Sequence, residues 1–173
     1  MRPLPWRTIA EWLGFQLVWL ACALGAAGGS GIPGTVAALV FAAVVVGSSG
    51  VRRGDVVAGA ASGIAGLVLE SVLAATGVVR FAAPWPFETI APAWMVALWI
   101  AFGATLPTFA KALGPRLVTA AGIGAIAGPL AYLAGHRLGA LQLAEPLPRS
   151  LLIVALIWAV VLPGLIALRA RNG

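Results

Sequence analysis

Six mainly apolar stretches follow one another along the chain, each close to the roughly 20 residues that a helix needs to cross a hydrocarbon layer. They run from about Thr8 to Ala27, Thr35 to Val51, Asp55 to Gly77, Pro92 to Phe109, Leu117 to Leu138 and Ser150 to Leu168. Gly/Pro punctuation separates them: "AAGGSGIPG", "GSSGVRRGD", "RFAAPWPFETIAP", "KALGPR" and "LGALQLAEPLPR". Composition closes off a soluble fold. The sequence is 61% hydrophobic and 9% charged, whereas ordinary soluble domains carry about 25% charged residues. A mean hydropathy of +1.03 belongs to a polytopic membrane protein. The expected fold is all-α, a single six-helix transmembrane domain over residues 1–173, with nothing left over for a soluble domain.

Lysine and arginine divide unevenly between alternate loops. One set holds Arg2, Arg7, Arg52, Arg53, Lys111, Arg116, Arg169 and Arg171; the other holds Arg80, Arg137 and Arg149. The positive-inside rule makes the richer set cytoplasmic. Both termini are then inside, which requires an even number of spans and agrees with the hydropathy reading. The first stretch also resembles a signal peptide, with "LGAAGG" as its small-residue end, but Glu11 and Gln16 interrupt the apolar region. It is read as a span. Neither end shows a lipidation signal.

Several functions are disfavoured. The formal charge of +6 lies in scattered loop residues and not on one basic face, so nucleic acid is no expected partner. The lone Cys22 sits in an apolar run. A single His and five acids are too dispersed for a metal cluster, so no metal and no cofactor is expected. "GIGAIAG" (122–128) has dinucleotide-loop spacing but lies inside a span, without the strand that motif needs. No helix carries a polar stripe from end to end, against a wide water-filled pore.

In lipid, helices associate through close backbone approach at small residues. Gly59, Gly63 and Gly66 share one face of the third span, and Gly124 and Gly128 one face of the fifth. "GLVLESVLAATG" (66–77) laid over "GPLAYLAGHRLG" (128–139) aligns both end glycines and sets Glu70 opposite Tyr132. Chance similarity between Gly/Ala/Leu-rich helices is the favoured account of that match. Pro107, Pro129 and Pro163 lie within spans and are candidate kinks. Trp12, Gln16, Trp19 and Ala23 make a stripe on the first span, and Trp94, Ala97, Ala101, Thr105 and Thr108 another on the fourth. Both are read as packing, with Gln16 hydrogen-bonded across helices.

Glu70 is the exceptional residue, an acid inside "GLVLESVLAATGVVRF" (66–81). An acid at mid-membrane costs about 2.5–3.5 kcal/mol on insertion scales. It shares a face with Gly63 and Gly66, which points it into the bundle. At 1.5 Å per residue it lies roughly 22 Å beyond Asp55, in the outer third of a layer about 30 Å thick. Tyr132, His136 and Arg137 of the fifth span fall at that depth. The four form either an outward-opening ligand site or a structural ion pair that docks the third helix on the fifth. Arg80, Trp85 and Glu88, in or beside the aromatic-rich loop 80–92, make that loop a possible lid, though an interfacial anchor is favoured.

"FQLVWLACALGAA" (15–27), "PAWMVALWIAFGATL" (92–106), "GPLAYLAGHRLGAL" (128–141) and the third-span acid followed by "GVVRF" resemble a bacterial inner-membrane family, domain of unknown function 2878. The resemblance covers nearly the whole chain and implies a multi-pass protein of the inner membrane in a lipid setting, with no assigned activity. The family pattern carries an Asn late in the fourth span, where this chain reads "ATLPTF"; any role of that Asn does not transfer.

The first functional expectation is a small membrane protein that binds or moves a lipid or other amphiphile at the outer leaflet, with membrane lipids as partners. The second is a non-catalytic accessory or assembly subunit with a membrane-protein partner. An intramembrane enzyme is weakest, because no nucleophile–base pair or metal set is visible.

Overall fold

The computed structural model describes residues 6–48, 53–113 and 116–172. Arg2 and Arg52 of the charge count, the end of the second expected span and the Gly-Pro of "KALGPR" lie outside them. Six helices carry the fold: α1 (Trp6–Ala27), α2 (Ile32–Ser48), α3 (Arg53–Ala75), α4 (Ala93–Leu113), α5 (Leu117–Leu138) and α6 (Leu147–Asn172). Five are long and apolar enough to cross a membrane; α2, at 17 residues, is shorter. The bounds of α5 coincide with those read from the sequence. α6 begins three residues earlier than expected, because Pro148 fits a helix's first turn and Glu145 Oε2 accepts from the Leu147 N–H at 2.7 Å. Pro107, Pro129 and Pro163 all lie inside continuous helices.

Two short strands were not expected. β1 (Val79–Phe81) and β2 (Leu141–Leu143) follow α3 and α5 and pair antiparallel, Val79 with Leu143, Arg80 with Gln142 and Phe81 with Leu141. In each, the outer apolar residues are buried and the central polar one is exposed. Gly77 and Gly139, with φ of 72° and 82°, make the turns that lead into them.

This pairing exposes an internal repeat. α3–β1 maps onto α5–β2 at the 62-residue separation of Glu70 and Tyr132. The flanking bonds obey the same offset: Ala82 N donates to Ala140 O, and Ala144 N to Val78 O, each at 3.0 Å. The aligned glycines at 77 and 139 both donate back into the last helical turn. The expectation of chance similarity is therefore corrected. Low-complexity helices hid the repeat, and the strands betray it.

Helix packing repeats too. α3 packs chiefly on α4, and α5 on α6. Ser62 Oγ of α3 donates to the Trp99 carbonyl at 2.7 Å, while a Cβ placed on Gly124 of α5 would strike the Trp158 carbonyl. Gly66 lies against Trp99 and Gly128 against Trp158. The expected docking of the third helix on the fifth gives way to these two hairpins, each a small-residue face receiving a tryptophan-bearing helix. α1 and α2 pack together and cover α4.

The helix ends opposite the strands are tied by polar contacts. Arg7 pairs with Glu11 at 2.9 Å, Thr108 donates to Glu11 Oε2, and Arg169 lies 3.6 Å from the buried Asp55.

Candidate functional site

The two hairpins meet at a polar knot in an apolar bundle. Glu70 is fully buried. It lies one turn beyond Gly66, as Tyr132 lies one turn beyond Gly128. The glycines let α4 and α6 approach closely enough for their indoles to reach the polar residues. Trp99 Nε1 donates to Glu70 Oε1 at 2.8 Å, and the Tyr132 hydroxyl donates to the same oxygen. Trp158, the counterpart of Trp99, stacks on it with ring centroids 4.8 Å apart and planes 19° apart. Its Nε1 lies near the Tyr132 hydroxyl without completing a hydrogen bond. Glu70 Oε2 is buried and makes no hydrogen bond either.

A cavity of about 630 Å³ opens beside this knot. α1 contributes Trp12, Phe15, Gln16, Trp19 and Ala23, α4 contributes Trp94 to Phe109 on one face, and α5 contributes residues between Ile123 and Ala134. Glu70, Leu141, Trp158 and Leu162 complete the wall. Aromatic contacts brace it: Phe15 against Phe102 and Trp12 against Phe109, both with centroids 5.8 Å apart. Gln16 of α1 and Ala127 and Leu130 of α5 are exposed wall residues, so the cavity opens sideways between those two helices.

The expected cluster is only partly assembled. Glu70 and Tyr132 come together. His136 is half-buried and its Nδ1 accepts from the Leu143 backbone N–H at 3.3 Å, so it serves the strand pair. Arg137 is exposed, and among the described residues it forms no ion pair with Glu70. The reason is helical geometry: five residues past Tyr132, at 100° each, turns Arg137 well away from the Tyr132 face. The cationic company expected for Glu70 is replaced by two neutral donors. Arg80, Trp85 and Glu88 are exposed and none lines the cavity. The loop bearing Trp85 and Glu88 is instead fastened down, with Ala93 N donating to Trp85 O and Ala91 N to Ser71 Oγ, each at 2.9 Å.

Gly63, Gly66, Gly124 and Gly128 all lie at close helix contacts, and Gly59 faces Gly103 across the α3–α4 crossing. The α1 stripe read as packing instead lines the cavity, and Gln16, exposed on its wall, shows no hydrogen bond across helices among the described residues. Trp99 and Trp158 were missed as polar residues. Their signal was available, since an indole N–H is a donor that needs a partner when it is buried.

No curated protein and no solved structure matches this chain. A family model described as a protein of unknown function (DUF2878) matches residues 8–164. The match spans all or most of every helix, the strand pair and the Glu70–Tyr132 knot, as the segment resemblance implied, and the chain belongs to that family.

Proposed function

We propose that this protein is a six-span bundle with both termini cytoplasmic, which binds a single amphiphilic molecule in the crevice between α1 and α5. The uneven Lys/Arg division supports the orientation and puts the strand-pair end, with Glu70, towards the outer leaflet. One observation carries the binding reading: a cavity of about 630 Å³ walled by aromatic and aliphatic side chains, with one buried carboxylate at its edge. Ligand sites are mostly apolar pockets of about 300–1,000 Å³ with a few placed polar groups. The sideways opening suits a molecule that arrives from the lipid, its chain along the helices and its polar end at Glu70.

Native mass spectrometry of the protein released from lipid nanodiscs tests this. One amphiphile per chain should remain bound. Ala127→Trp fills the cavity from an exposed wall position; it should abolish the adduct while thermal stability stays near that of the parent. An adduct that survives Ala127→Trp, or a chain that carries none, rejects the reading.

A further inference from the structure

The cavity discriminates by charge. Eleven Lys and Arg side chains outnumber five acids in this sequence, yet among the described residues Glu70 is the one ionisable acid on the wall and no Lys, Arg or His lines it. Among the described residues none forms an ion pair with Glu70. Both intramolecular donors converge on Oε1, and Oε2 is left buried and unbonded. Buried polar atoms in folded proteins nearly always have a partner, and an unpaired buried charge is costly. Among the described residues none donates to Oε2.

We infer that the amphiphile of the preceding section carries a cationic polar end, a protonated amine, whose N–H group sits against Glu70 Oε2; this rests on the amphiphile reading. An anionic head would meet the Glu70 carboxylate with no base to offset it. A hydroxyl would supply one donor and leave the charge uncompensated. An ammonium supplies both the donor and the charge, and the wall carries Phe15, Trp19, Trp99 and Phe102, aromatic residues of the kind whose π faces recognise organic cations.

The test compares dodecylammonium, dodecanol and dodecyl sulfate on the full chain in amphipol, with affinities from tryptophan fluorescence. The cation should bind at least tenfold more tightly than the alcohol, and the sulfate most weakly. Glu70→Gln should weaken the cation by about tenfold and the alcohol by less than about twofold. The comparison of cation with alcohol is made on the parent chain and stands even if Glu70→Gln fails to fold. Equal binding of cation and alcohol overturns the charge assignment and leaves the amphiphile site intact. Cation binding that Glu70→Gln leaves unchanged overturns the role of Glu70. Binding of none of the three overturns both proposals.

Discussion

Glu70 and Tyr132 occupy the same place in two halves of one repeat, and each is the other's partner across the junction between them. A contact of this kind is self-locating, because the symmetry that equates the two positions also brings them together. One position holds an acceptor and the other a donor. Removing the donor leaves Glu70 with Trp99 alone. Hydrogen bonds between membrane helices average about 0.6 kcal/mol, and those to charged groups reach about 1.5–3 kcal/mol. Tyr132→Phe should accordingly lower stability by about 1–2 kcal/mol. Thermal unfolding of Tyr132→Phe, Glu70→Gln and the double variant should give a coupling of at least about 0.5 kcal/mol. Simple additivity would mean that the pair does not join the hairpins.

Two glycines hold the indoles in register. A Cβ on Gly66 would collide with the Trp99 ring and one on Gly128 with the Trp158 ring, both well inside van der Waals contact. Those rings are braced against each other, so neither can step aside without breaking the stack. Gly66→Ala and Gly128→Ala should each cost about 1–3 kcal/mol, the range for overpacked cores. Gly122→Ala on α5 meets nothing within 4 Å and should be neutral or slightly stabilising, since alanine is the better helix former. Melting temperatures of the three variants decide the matter, and equal losses at all three positions would contradict the stack's rigidity.

The sequence made the helices readable because each needs only its own apolar length, and α5 was found at its observed bounds. It made Glu70's burial readable because Gly63, Gly66 and Glu70 share one face by periodicity alone. Partner choice was not readable in that way. A small-residue face says that something packs there and not which helix does, so α3 was matched with α5 when Trp99 and Ile100 of α4 fill its glycines. Arg137 was chosen as Glu70's partner on depth, and azimuth removed it. Strands of three residues lie below any pattern threshold; the cue was "VRF" and "LQL" standing two residues after aligned glycines.

At the other end of the bundle Asp55 is buried and Arg169 stands 3.6 Å away, with neither Asp55 Oδ1 nor Arg169 Nε hydrogen-bonded. This is charge compensation without a close hydrogen bond, joining the start of α3 to the end of α6. Arg169→Ala strands a buried carboxylate and should cost about 1–3 kcal/mol, less than a tightly bonded buried pair. Asp55→Asn added to it should recover part of the loss, because the uncompensated charge is gone. Denaturant or thermal unfolding of the single and double variants reads this directly. A double variant less stable than Arg169→Ala would assign Asp55 a different partner.

The span count rests on α2, whose 17 residues reach about 26 Å at 1.5 Å per residue against a hydrocarbon layer of about 30 Å. Packing against both α1 and α4 runs it alongside two longer helices, and a bilayer thins around a short span at modest cost. Single-cysteine labelling separates the alternatives. The native Cys22 is fully buried, with Sγ 3.3 Å from the Gly34 carbonyl, so it should resist maleimide in the folded chain, and Cys22→Ala provides the background. Ser30, Trp85 and Lys111 are exposed; Ser30 follows α1, Trp85 follows α3 and Lys111 is in the last turn of α4. With α2 crossing, Ser30→Cys and Trp85→Cys should both react with an impermeant maleimide applied outside, and Lys111→Cys only after permeabilisation. Were α2 to lie on the surface, Ser30 and Trp85 would fall on opposite faces, because α3 alone would then separate them. Labelling of Lys111→Cys from outside, with the other two protected, would keep six crossings and reverse the orientation drawn from the charges.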